Sequence, residues 1–261
     1  MLSWSQKHDK LDADKFVRAF RRPGAVPGRR YRRARTLLSE DLLLLLLDDT
    51  SGKAVLDGTG LDTVLGGAVL LELALAGRVD VHKGDGVLAR EKVPVLDPSP
   101  VGDDRLDEAF AKVSEKPRGP QDLVGRLGKG LRWRLLGRVE ERGLVRKQTD
   151  KVWGLFPRHR WPVEDARHED QLRARLHDVF VVGATPDERT VALVALLYAV
   201  DKAHTVPVGL DRAGRRAVKR RAKEIATGAW AAAAVRRSIQ ATQAAVTSAV
   251  VAATVASASG Y

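Results

Sequence analysis

The chain has 261 residues, 44% of them hydrophobic and 30% charged, the composition of a globular body long enough for one sizeable core. It contains no Cys, which excludes disulfide scaffolds, thiolate metal sites, iron–sulfur clusters and Cys nucleophiles. Lys and Arg number 45 against 33 Asp and Glu, and the formal charge of +12 directs attention to anionic partners, nucleic acid or acidic lipid.

Residues 1–35 hold eleven Lys or Arg against three Asp, two thirds of the chain's excess charge. Pro23-Gly24 and Pro27-Gly28 break any helix there, so the segment reads as a basic flexible arm. No apolar run precedes a cleavage site, and Leu42 to Leu47 is far short of a bilayer span. Order is expected from Thr36, with Ser39 capping a helix that is apolar on every face and Asp48 to Gly52 forming a turn. Leu61 to Ala76 predicts a long helix, opened to close approach by Gly66, Gly67, Ala68 and Ala74 and ended by Gly77. Next comes a hairpin centred on Gly84-Asp85-Gly86, with Val79 and Val81 on one strand and Val87 and Leu88 on its return. Asp103 to Lys116 resumes as a helix whose inner face is Leu106, Ala109, Phe110 and Val113.

From Pro120, Leu123, Leu127, Leu131, Leu135, Leu136 and Val139 form a helical stripe that Gly130 divides and Gly143 stops. A second hairpin follows, with Gln148, Thr149 and Asp150 as its tip and Pro157 or Pro162 ending the return. Glu164 to Val181, Glu188 to Lys202, Asp211 to Thr227 and Ala229 to Ala258 are read as helices, the third strongly basic and the last Ala-rich. The fold class is therefore mainly α: a single globular helical-bundle domain over residues 36–230 with short β-hairpins, and a C-terminal helix or tail over 231–261.

Enzyme chemistry finds little support. Gly125 to Gly130 lacks the spacer and hydroxyl of a phosphate loop, and Gly58-Thr59-Gly60 lies outside any strand–helix context for a dinucleotide. No His pair has metal-ligand spacing, so no metal and no cofactor are expected. Glu72, inside an apolar stripe, calls for a buried Arg partner more than for acid catalysis.

The basic stretch from Arg126 to Lys147 is more informative. Lys129 and Arg132 are three apart, which on one helix makes them neighbours able to share a phosphorylated headgroup. Directly afterwards, Val152, Trp153, Leu155 and Phe156 put apolar mass on a hairpin flanked by Lys151, Arg158 and Arg160, the combination that suits a lipid interface. The competing reading places Trp153 and Phe156 in the core or in a homo-oligomer interface, with the cations merely solvated.

The blocks LLLLLLDDTSGK, LGGAVLLELALAGRV, RLDEAFAKV, RVEERGLV and VALVALLYAVD resemble the Golgi phosphoprotein family of phosphatidylinositol-4-phosphate-binding peripheral membrane proteins, from about Thr36 to about Trp230. The resemblance implies a mostly helical fold with short hairpins and a binding role without catalysis. It places the family's two headgroup cations on Lys129 and Arg132, and the membrane-inserting hairpin on Lys151 to Phe156. The family's headgroup Trp falls on or near Leu56 and its Arg before Gly-Gly on Leu65, two departures that leave fewer contacts to select one phosphoinositide. The implied partners are an anionic phospholipid headgroup and a membrane surface, with the protein cytoplasmic and peripheral on the membrane's inner face. Two alternatives stand beside it: nucleic-acid binding through the winged-helix-like segment from Leu123 to Phe156, and a structural or partner-recruiting role without a lipid ligand.

Overall fold

The computed structural model describes residues 36–49, 51–83, 91–152, 156–228 and 233–258. The expected arm, 1–35, lies outside them.

Helix α1 (Leu38–Leu45) begins ahead of the expected cap. Ser39 is buried within its first turn, and the Glu40 carboxylate accepts instead from Leu37 N at 2.8 Å. All its Leu side chains are buried, as a helix apolar on every face requires. After a turn in which Asp48 accepts from Ser51 N and Gly52 N, α2 (Gly58–Leu75) starts three residues before the predicted position. The cause is Asp57, whose carboxylate accepts from Thr59 N and Gly60 N, so Gly58-Thr59-Gly60 is the first helical turn rather than a loop. Gly77, at φ +69°, ends the chain's helical course as expected.

Strands β1 (His82–Lys83) and β2 (Glu91–Lys92) pair antiparallel, and the register continues to Val79 opposite Val95. The return strand expected at Val87 and Leu88 and the expected Gly84–Gly86 tip fall outside the described residues. Helix α3 (Asp104–Ser114) is capped by Asp103 and buries Leu106, Ala109, Phe110 and Val113. The stripe from Pro120 divides into α4 (Pro120–Gly128) and α5 (Leu131–Glu141) where Gly130 turns left-handed at φ +67°.

The second hairpin, β3 (Gln148–Val152) with β4 (Phe156–Arg160), corrects the predicted tip. Gln148, Thr149 and Asp150 lie in a strand, opposite Arg160, His159 and Arg158, so they are not its tip; residues 153–155 are outside the described residues. Pro157 is also within its strand, facing Lys151, which a two-stranded ribbon permits because each strand has a free edge. Then follow α6 (Arg167–His177), a π-helical turn Asp178–Val182, α7 (Glu188–Ala199), a 3-10 turn Ala203–Thr205, α8 (Arg212–Thr227) and α9 (Ala233–Ala258). Among the described residues the fold is mainly α, with two two-stranded ribbons.

Helix α2 is the central element, touching α1, α4, α5, α7 and α9. Its crossing with α4 is made backbone to backbone: a Cβ on Gly66 would come 2.2 Å from Val124 O, and one on Gly128 2.2 Å from Asp62 O. The two helices therefore run antiparallel, and the end of α4 lies at the start of α2.

Charge as well as apolar packing ties the bundle. The buried Arg189 guanidinium lies 2.6 Å from Glu72 Oε1 and 2.8 Å from Asp41 Oδ2, and donates to Thr36 O at 2.7 Å. His168 Nε2 completes the cluster 2.8 Å from Asp41 Oδ1. The Arg partner expected for Glu72 is thus supplied from α7. Burial pushes the Glu72 carboxyl up. It would push Asp41 up as well, but hydrogen bonds from His168 and Thr36 and the Arg189 charge outweigh it and hold Asp41 below the usual value.

Among the described residues, two helices have the length and apolarity to cross a membrane, Gly58–Leu75 and the window Val235–Ala256. The first is 78% buried and is the core helix of the bundle; the second is only 28% buried, so packing explains it less completely.

Candidate functional site

Site geometry starts from Asp62, one turn into α2. Its carboxylate accepts from Gly130 N at 3.2 Å and Arg132 N at 2.9 Å, so it caps the start of α5 from a different helix. The same carboxylate lies 2.8 Å from Arg132 Nη1, which also donates to Gly58 O. Gly58 has no room for a side chain there, since a Cβ would meet Nη1 at 2.6 Å. Arg132 is thereby fixed by the chain itself.

This corrects the expectation that Lys129 and Arg132 share one helical face. Lys129 ends α4, Gly130 reverses the chain, and Arg132 belongs to α5. Lys129 is exposed and forms no ion pair with any described residue, whereas Arg132 is half-buried and paired. Most other cations of the basic stretch are paired too: Arg126 with Asp122, Arg134 with Glu108, Arg138 with Asp103 and Glu40, and Arg142 with Glu40. Three of the four carboxylates, Glu40 in α1, Glu108 in α3 and Asp103 at its cap, come from distant segments, which sequence proximity does not reveal.

Beside Arg132 opens a cleft of about 260 Å³ lined by Lys53, Leu56, Arg132, Trp133, His159 and Trp161. The Trp133 indole is 51% exposed, with the Arg132 guanidinium carbon 4.9 Å from its ring centroid. The buried Trp161 ring supports it at 5.6 Å and is flanked in turn by His159 at 6.0 Å. Trp161 is held by its N donating to Gly52 O at 2.8 Å, which joins the second ribbon to the turn before α2. Gly52 sits at φ +63° with no space for a Cβ between it and the Trp161 backbone.

Of the positions where the family pattern is departed from, Leu56 lines this cleft and Leu65 is fully buried in the core. Lys151, Val152, Phe156 and Arg158 are at the far end of the second ribbon, and Arg160 at its base. Trp153 and Leu155 lie outside the described residues. Trp133 and Trp161 were missed by sequence reasoning: Trp133 sits inside a run of cations, and its one signal is that it directly follows Arg132.

A bundle built on a Gly-notched central helix, with a cation and an exposed indole beside an open cleft, is a mainly helical fold with two short ribbons among the described residues. Residues 38–242 match the family described as Golgi phosphoprotein 3 (GPP34), and the chain belongs to that family. None of the curated proteins matches it.

Proposed function

We propose that this protein is a non-catalytic peripheral membrane protein of a membrane's inner, cytoplasmic face. Its ligand is the headgroup of an anionic phospholipid, phosphatidylinositol 4-phosphate or a related phosphoinositide. The observation that carries this reading is the exposed Trp133 indole set against the immobilised Arg132 guanidinium at the mouth of an open cleft. An indole there suits the headgroup layer, and a guanidinium held in place loses little entropy on meeting a phosphate. Lys53 at the cleft and Lys129 nearby supply further charge, neither in an ion pair among the described residues. Family membership supports a lipid-binding role, and the family resemblance adds an apolar contact at Lys151 to Phe156, with Arg158 and Arg160 on phosphates.

Asp62 tempers the site. It neutralises much of the Arg132 charge, and with Leu at positions 56 and 65 the headgroup meets few specific contacts, so discrimination among anionic lipids is modest. Sedimentation with vesicles of phosphatidylcholine alone, or with phosphatidylglycerol or phosphatidylinositol 4-phosphate added, tests this. Binding that requires the anionic lipid, weakens with salt and falls in the Lys129→Ala/Trp133→Ala variant is expected. Equal binding to phosphatidylcholine, or a sequence-selective duplex DNA complex without vesicle binding, would overturn it.

A further inference from the structure

The direction of each helix decides what gathers at the end of the bundle that holds Arg132. Arg189 meets Glu72 near one end of the α2–α7 pair, while Gly67 faces Leu196, so α7 runs antiparallel to α2 and finishes where α2 begins. Helix α9 runs alongside α7 in the same direction: Gly67 also faces Thr242 and Val246, and Thr247 Oγ1 donates to Ala199 O at 3.4 Å. Helix α7 ends at Ala199 but α9 continues to Ala258, so the last turns of α9 outrun their neighbour. The start of α8 projects at the same end, since Lys219 Nζ lies 2.8 Å from Asp201 Oδ2 and α8 packs on the 3-10 turn beyond α7. Lys129 also belongs to this end, through the antiparallel α2–α4 crossing.

The two projecting pieces differ in chemistry. From Ser238 to Ala258 the sequence has no charged residue, and Val251 and Val255, one helical turn apart, are 55% and 59% exposed. The outer face of α8 carries Arg212, Arg215, Arg216 and Arg220, all exposed and none in an ion pair with a described residue. The apolar face of α8 is already spent in the core, on Val218, Ala222, Ile225 and Ala226. So the start of α8 offers charge, and the end of α9 an uncharged surface led by Val251 and Val255.

We infer that the end of α9 and the start of α8 form a second contact with an anionic lipid surface: Val251 and Val255 enter the interfacial layer while Arg212, Arg215 and Arg216 meet lipid phosphates. The inference rests on the proposed peripheral membrane reading and extends it to a surface separate from the Arg132 cleft. Charge selects the occupant. A second copy docking on these valines would bring two arginine ridges together, each on a chain of charge +12. Nucleic acid would meet the arginines but leave Val251 and Val255 in water, and α8 has no aromatic side chain for a base to stack on. An anionic bilayer answers both pieces at once.

The absence of Cys allows a clean probe: Val255→Cys, labelled with an environment-sensitive fluorophore, reports this site alone in the full chain. Vesicles containing phosphatidylglycerol are expected to brighten and blue-shift it, and phosphatidylcholine vesicles to leave it unchanged. The variants Val251→Asp/Val255→Asp and Arg212→Glu/Arg216→Glu should each lower the vesicle partition coefficient roughly tenfold or more, with unchanged thermal melting because all four side chains are exposed. If the unlabelled protein binds anionic vesicles through Lys129 and Trp133 while the probe stays dark and neither variant weakens binding, this inference falls and the cleft reading stands. If no anionic vesicle binds the protein, both fall. Brightening without vesicles that grows with protein concentration would assign the surface to a second copy instead.

Discussion

Asp62 and Arg132 meet twice, once through the Arg132 backbone N at 2.9 Å and once through its guanidinium at 2.8 Å. The contact with the backbone builds the start of α5, and the contact with the guanidinium opposes any incoming anion. These roles separate by substitution. Asp62→Asn keeps an acceptor for the backbone but removes the negative charge, so anionic-vesicle affinity should rise, by roughly threefold to tenfold, while stability changes by about 1 kcal/mol or less. Asp62→Ala should raise affinity too, but at a cost of about 1–2 kcal/mol in urea unfolding as the cap is lost. Weaker vesicle binding by Asp62→Asn would show that Arg132 needs its carboxylate to be positioned.

The glycines of the bundle should respond very differently to the same methyl group. Gly128→Ala and Gly66→Ala each drive a Cβ into a facing backbone and should cost about 1–3 kcal/mol or more, because neither helix can move without disturbing α2. Gly125→Ala, on the outer face of α4 with open space around it, should stabilise by about 0.5–1 kcal/mol. Chemical denaturation of the three variants gives the comparison directly.

Removing Arg189 leaves two buried carboxylates without their cation. Arg189→Ala is expected to destabilise by about 3–5 kcal/mol, and the pair Arg189→Met with Glu72→Leu by less, since only Asp41 then loses its guanidinium and His168 still reaches it. Thermal melting of both variants distinguishes a buried pair that must be complete from one that adds stability of its own.

The same cluster gives a pH dependence with two opposed signs. Asp41, held below its ordinary value of 3.8, makes the folded state bind fewer protons, so its contribution is full above 3.8 and is lost as pH falls through the folded value. Glu72, raised above 4.5, does the reverse: the folded state holds its proton longer, and stability declines as pH rises from 4.5 through the raised value. Asp41→Asn should therefore flatten the acid limb of a stability–pH curve, whereas Glu72→Gln should remove the decline above 4.5.

If the second ribbon provides apolar attachment, Trp153→Ala with Phe156→Ala should weaken vesicle binding by about 1–2 kcal/mol for each ring that is partly buried in lipid. The test is sharpest in a background where the other four Trp residues are replaced, with Trp153 emission blue-shifting on anionic vesicles. An emission already blue-shifted without vesicles would place the ring in the protein instead.

Much of the bundle was legible because its signals are local. Helical stripes located α3, α4, α5 and α7, Gly130 marked the break between α4 and α5, and Glu72 within LLELAL announced a buried Arg partner. The errors came where distant chain segments decide. Asp57 drew Gly58-Thr59-Gly60 into a helix, and cross-strand pairing drew Gln148, Thr149 and Asp150 out of the turn their side chains favour. At the candidate site, the expected one-face relation of Lys129 and Arg132 does not hold. Left-handed Gly130 puts them on different helices, and the carboxylate that engages Arg132 is 70 residues away. The Trp133–Trp161 pair could not be read at all, since it joins a helix to the base of a hairpin that returns from a distant turn.

The crossing of α2 and α4 has a consequence for how ligand preference can change in a protein of this shape. Two hydrogen atoms, where Gly66 and Gly128 have no side chain, set the spacing of the helices and so the position of the turn bearing Lys129. Residues that touch a ligand at that turn are not the ones that hold it in place. Position 56 can therefore be Leu or an aromatic without moving the turn, and Asp62 can be exchanged for Asn with the helix start still capped. On the proposed membrane reading, lipid preference would thus rest on side chains that contribute less to the fold than the glycine crossing does, and could drift while the architecture stays the same.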